Sequence, residues 1–157
     1  MPLIDIRIDD ALWDAGSPGR RYEWRQAATD LLEEHEAVAD RLKLRVALAG
    51  SDTLLAATTS DGELFAHVIL SASILTPHFK EYIAICKEMG KLGEGTLSPR
   101  LEALDIAKRI AHDEAGETLR GLTRPLGLNH GGCRRLFTLL ITLHFDTTRL
   151  LLPHHRR

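Results

Sequence analysis

Apolar and polar positions alternate from Leu3 to Ile8 and then meet Asp9-Asp10, the period of a short half-buried strand. Residues 14–19 (Asp-Ala-Gly-Ser-Pro-Gly) have the composition of a loop. From Tyr22 to Asp40, Trp24, Ala27, Ala28, Leu31, Leu32, His35, Val38 and Ala39 recur at helical spacing while Glu23, Arg25, Asp30, Glu33 and Glu34 fall on the other side, which predicts an amphipathic helix with His35 in its apolar stripe. Three strand-like runs follow, 42–49, 53–59 and 63–71. They are separated by Gly50-Ser51-Asp52 and Ser60-Asp61-Gly62, turn residues that tolerate positive φ. The pattern predicts an antiparallel meander, joined at its edge by the first strand and covered on one face by helices.

Thr76-Pro77 and Ser98-Pro99 each have the form of an N-cap followed by proline at the first helical position. The first predicts a helix to Met89 with Phe79, Tyr82, Ile83 and Cys86 inward, ended by Gly90, Gly93 and Gly95. The second predicts a helix to about Leu119. A wheel places Ala103, Leu104, Ile106, Ala107, Ile110 and Ala111 on its core face and Glu102, Asp105, Lys108, Arg109 and His112 on its polar face. Gly116 and Gly121 are candidate breaks. Cys133 to Phe145 is so apolar that its period is blurred; strand and helix both fit, and length favours helix.

At 157 residues one core is expected, in a single α+β domain over residues 1–152 with a small antiparallel sheet of about four strands against about four helices. The basic end, 153–157, is expected to be a disordered tail. A net charge of −2 gives no general attraction to nucleic acid. Neither a secretory leader nor an apolar run long enough to span a bilayer is present, so a cytoplasmic, non-membrane protein is expected. Cys86 and Cys133 form no CxxC pair and are read as buried thiols.

Two segments are more distinctive: Glu102-Ala-Leu-Asp105-Ile-Ala-Lys-Arg109-Ile-Ala-His112-Asp-Glu114-Ala-Gly116, and Arg134-Arg135-Leu136-Phe137-Thr138-Leu with the later Leu143-His144. Together they resemble the C-terminal motifs of uncharacterised protein family 0262, small bacterial proteins with no established activity. Lys80 to Cys86 is similar to that family's central helix. The resemblance implies a fold and a bacterial context, and no reaction.

The candidate chemistry gathers in the same half. Glu102, Asp105, Arg109 and His112 share one helical face, either a solvated stripe of weak ion pairs or a surface for an anion. Glu114 turns toward the apolar side and, if buried, needs Arg109, Arg134, Arg135 or a histidine as partner. Arg134-Arg135 follow Gly131-Gly132 at a helix start beside no complete phosphate-loop pattern, a setting suited to carboxylates or phosphates, with structural pairing to Glu114 or Glu117 the favoured reading. No HExxH, phosphate-loop or nucleophile-elbow pattern occurs, so no metal site and no cofactor is expected. Cys133 would react only if exposed at its helix start.

These residues fit a noncatalytic binding or regulatory protein that recognises a partner protein or small anionic ligand through Arg109, Arg134 and Arg135. The alternative is a small enzyme acting on an anionic substrate with His112, Glu114 and His144 as acid–base candidates. Homo-oligomerisation is left open, because a face exposing Trp13 or Trp24 could pair two chains.

Overall fold

A computed structural model describes residues 5–34, 42–92 and 98–150. The outer parts of the first predicted strand and helix, including Leu3, His35 and Val38, lie outside them, as do Gly93, Gly95 and the basic tail. The order of elements is β1 (Asp5–Ile8), α1 (Asp10–Ala15), α2 (Pro18–Glu34), β2 (Lys43–Ala49), β3 (Asp52–Thr58), β4 (Leu64–Leu70), α3 (Ala72–Lys91), α4 (Pro99–Leu122) and α5 (His130–His144). The α+β class and the four-stranded sheet agree with the pattern of the sequence.

The sheet runs in the order β1-β2-β3-β4. β2 and β3 pair antiparallel with Ala49 opposite Asp52, and Gly50 in the turn takes φ +63°. β3 and β4 also pair antiparallel, with a shift of register at Thr58 and with Gly62 at φ +87° in the turn. Unlike the antiparallel sheet expected, however, β1 runs parallel to β2, Asp5 facing Lys43 and Ile8 facing Val46. The cause is the connection, because α2 is a crossover long enough to return the chain in its starting direction.

Leu44, Val46, Leu55, Ala57 and Leu70 point from the sheet into one core shared with the helices. α5 lies deepest: every residue from Leu136 to Leu143 is buried. The strand-or-helix choice for this segment is thus settled as helix, capped by Asn129, whose side chain accepts from Gly132 N–H. Phe137 stacks on Phe79 at 5.5 Å and meets Tyr82 edge-on at 5.7 Å, joining α5 to α3. Trp24 is also in the core, where its Nε1–H donates to the Thr142 carbonyl at 2.7 Å. It therefore offers no surface for pairing two chains.

The helix starts divide. α4 begins as predicted, with Ser98 accepting from Leu101 N–H and Pro99 at the first position. α3 begins five residues earlier than predicted, with Ser71 as the cap and Pro77 inside the helix. Two acceptors favour the early start: Asp52 takes Ala72 N–H at 2.8 Å, and Ser71 takes Ser73 N–H at 3.3 Å. α2 likewise begins at Pro18, inside the predicted loop, and α1 was not foreseen.

Neither glycine interrupts α4. Gly116 is a close-approach position, since an added Cβ would lie 2.9 Å from Arg134 Cγ and 3.2 Å from the His130 ring, whereas nothing stands within 4 Å of one added at Gly121. Alanine at a helical glycine gains up to about 1 kcal/mol of propensity, and overpacking costs about 1–3 kcal/mol. Urea denaturation should therefore find Gly121→Ala neutral or stabilising, and Gly116→Ala destabilising by about 1 kcal/mol.

Candidate functional site

α4 packs between α3 and α5 on an arc set by small residues, Ala111, Ala115 and Gly116, which let neighbouring helices come close. This choice of arc turns the helix away from the orientation read off the wheel. Lys108 and His112, assigned to the polar face, are buried at 3% and 1% exposure, while Ile106 and Ile110, assigned to the core, are 56% and 53% exposed. Lys108 comes close enough to Cys86 of α3 for its ammonium to offset part of the rise that burial imposes on the thiol, whose pKa still reaches about 11.

His112 is the polar centre of this interface. Its Nε2–H donates to the Arg134 carbonyl at 2.7 Å, with the Thr138 hydroxyl 3.2 Å away, while Nδ1 accepts from Arg134 Nη2 at 3.3 Å. The carbonyl requires a donor and the guanidinium an acceptor, so the bonds assign the Nε2–H tautomer. Tyr82 and Phe137 close round the ring, at 5.5 and 5.7 Å. Both ring nitrogens are thereby engaged within the fold, which makes His112 a cross-link between α4 and α5.

The same arginine reaches the surface. Arg134 Nε lies 3.0 Å from Asp113 Oδ1; the His130 ring bridges Asp113 at 3.5 Å and Glu117 at 2.9 Å. The Arg134–Asp113 and His130–Glu117 contacts are at ion-pair distance without hydrogen-bond alignment. Arg135 turns the other way, to Glu34 of α2 at 3.1 Å. Arg109 pairs with Asp105 one turn back, at 2.7 Å on the surface, and Glu102 is exposed.

Glu114 does not turn inward as expected: it is exposed, because the arc containing Ala111 and Ala115 carries it out. His144 sits far along α5, ten residues or about 15 Å from Arg134. There it shares a 2.7 Å hydrogen bond with Thr53 of β3 and lies against Phe79 at 5.3 Å. Thus Arg134 and His112 come together, whereas Glu114, His144, Arg109 and Arg135 stand apart from them. Cys133, at the start of α5, is fully buried near the Thr123 hydroxyl, and burial pushes its thiol up to about 11, against a reactive role.

Sequence reasoning missed three features. Lys108 and His130 carried no spacing signal beyond ordinary helical periodicity. The third is a group on α2: Arg21 and Arg25 lie over the Trp13 ring at 5.7 and 5.4 Å, and Arg20 over Trp24 at 5.2 Å. Their signal was present as Arg20-Arg21 followed by Trp24-Arg25. Among the described residues, no cluster of His, Cys, Asp or Glu is placed to hold a metal ion, and no helix is long and apolar enough to cross a membrane.

These features define a largely helical α+β protein whose polar residues knit its helices together. The chain belongs to the uncharacterised protein family UPF0262, whose model matches residues 1–146. It is similar to the UPF0262 protein of Rhizobium etli, 31% identical over 149 residues that cover 91% of this chain and 94% of the relative. The UPF0262 proteins of Mesorhizobium japonicum and Brucella canis are 29% and 28% identical over 150 residues, again 91% of this chain, with 92% and 93% of the relatives covered. No solved structure matches.

Burial lowers the pKa of His144 from the ordinary value of 6.5. The unfolded chain then takes up the proton more readily than the folded one, so the stability due to neutral His144 is present above about pH 6.5 and declines as pH falls below it. Thermal unfolding between pH 7.5 and about pH 5 should show a smaller drop in Tm for His144→Gln than for the unaltered chain. An equal drop would assign the pH dependence elsewhere.

Proposed function

We propose that this chain is a noncatalytic binding protein of the cytoplasm that meets a partner protein through the outward face of α4. The observation that carries this reading is the exposure of Ile106 and Ile110, one turn apart beside exposed Ala103 and flanked by the Arg109–Asp105 pair. Anchors at this spacing with a charged rim are how a helix face commonly engages another protein.

A protein partner has more support than a small anion. Arg134 and Arg135 already lie against Asp113 and Glu34, so an anion would have to displace a carboxylate from each. The enzyme alternative has less support again, because His112 has both nitrogens bonded, Glu114 stands outside, and His144 belongs to another part of the fold. The cytoplasm accords with two buried thiols that form no disulfide.

Affinity capture from bacterial cytosol, quantified against Ile106→Asp/Ile110→Asp, tests the proposal. Both positions are more than half exposed, so the double variant should keep its Tm within a few degrees. It should lose, by about tenfold or more, whatever protein the unaltered chain retains specifically. Equal recovery by the two chains would contradict the assignment.

A further inference from the structure

The arginines of α2 differ from those on which the sequence first drew attention. Arg45, Arg109, Arg134 and Arg135 each lie against a carboxylate, whereas no carboxylate among the described residues comes within ion-pair distance of Arg20, Arg21 or Arg25. These three instead lie over indole rings, Arg21 and Arg25 sharing Trp13 and Arg20 occupying Trp24, whose ring centroid is 6.0 Å from that of Trp13.

Their donors are only partly occupied. Arg21 gives Nε to the Trp13 carbonyl and Nη2 to the Asp14 carbonyl, both at 2.9 Å, which closes the end of α1 and fixes the side chain. Arg20 gives Nη2 to the carbonyls of Thr142 and Leu143, and its buried Nε has no acceptor. Arg25 is exposed, and its guanidinium forms no hydrogen bond among the described residues. Two like charges one turn apart repel, and the shared ring holds them there in spite of it. An anionic group set between them would relieve the repulsion at little cost in side-chain ordering.

We propose that the Trp13 platform bearing Arg21 and Arg25, with Arg20 beside it, is a docking surface for a carboxylate-rich protein segment. Arg21 and Arg25 are about 6 Å apart along the helix axis, the rise between carboxylates one turn apart on an acidic helix. Each planar guanidinium can take a carboxylate through paired N–H groups. A net charge of −2 opposes a polyphosphate, whose dense charge feels the whole surface, more than a short acidic row that needs only the local pair. The surface lies on α1 and α2 and does not depend on the α4 strip.

Trp13 reports occupancy directly, since Trp13 and Trp24 are the only tryptophans. Tryptophan fluorescence of the full chain is titrated with a short polyglutamate peptide, in parallel with inorganic phosphate and a single-stranded oligothymidylate. Saturable polyglutamate binding is expected, weakening severalfold between about 50 and 200 mM salt. Arg25→Gln, which breaks no hydrogen bond and keeps a good helix former, should weaken it about tenfold. Arg124→Gln, at an exposed position elsewhere, should leave it unchanged. The proposal is overturned if polyglutamate does not bind, if Arg25→Gln binds it as well as the unaltered chain, or if phosphate or oligothymidylate binds more tightly. Unchanged circular dichroism of Arg25→Gln keeps a loss of binding distinct from a loss of fold.

Discussion

A helix buried from Leu136 to Leu143 leaves its neighbours little freedom, and in this protein the hydrogen bond from His112 to the Arg134 carbonyl is the contact around which they are arranged. α5 contacts α2 on one side and α4 on another, so a polar group on either inner face must find its partner within the protein. His112 meets that requirement for α4. Its ring also completes the aromatic wall of Tyr82 and Phe137, so that one side chain serves both the apolar and the polar packing of three helices.

The position of this contact accounts for the rest of the polar arrangement. Because His112 faces α5, Lys108 lies inside one turn earlier, and Ile106 and Ile110 are left on the outside. Because Arg134 gives its carbonyl and one nitrogen to His112, its remaining guanidinium edge points toward Asp113 and the His130–Glu117 pair. Gly116 permits this crossing, since a larger residue would occupy the space of the Arg134 stem. The burial and mutual bonding of His112 and Arg134 thus follow from the packing of α4 on α5, while Ile106 and Ile110 on α4 and Arg25 on α2 are left exposed.

Legibility in the sequence followed the strength of local constraints. Turn glycines and two-residue alternation marked β2, β3 and β4 closely, and Ser98-Pro99 marked the start of α4. Thr76-Pro77 had the same local form and misled, because the acceptor that favours the earlier start, Asp52, is twenty positions away and visible only in the fold. The parallel pairing of β1 likewise depended on where α2 returns the chain. On α4, hydrophobicity put Ile106 and Ile110 on the core face with Ala111 and left out Ala115 and Gly116, but close helix packing favours small residues. That one reversal hid the burial of His112 and Lys108 and the exposure of Glu114. The relatives carry only family names, so no reaction could be taken from them.

Nitrogen NMR of the His112 imidazole at neutral pH examines the central contact directly, since the two ring nitrogens give separate signals that report which carries the proton. The arrangement predicts a single tautomer, protonated on Nε2 and bare on Nδ1, that persists when exposed carboxylates such as Glu114 are replaced. A proton on Nδ1, or averaging between the two forms, would contradict the cross-link and return His112 to the candidates for chemistry.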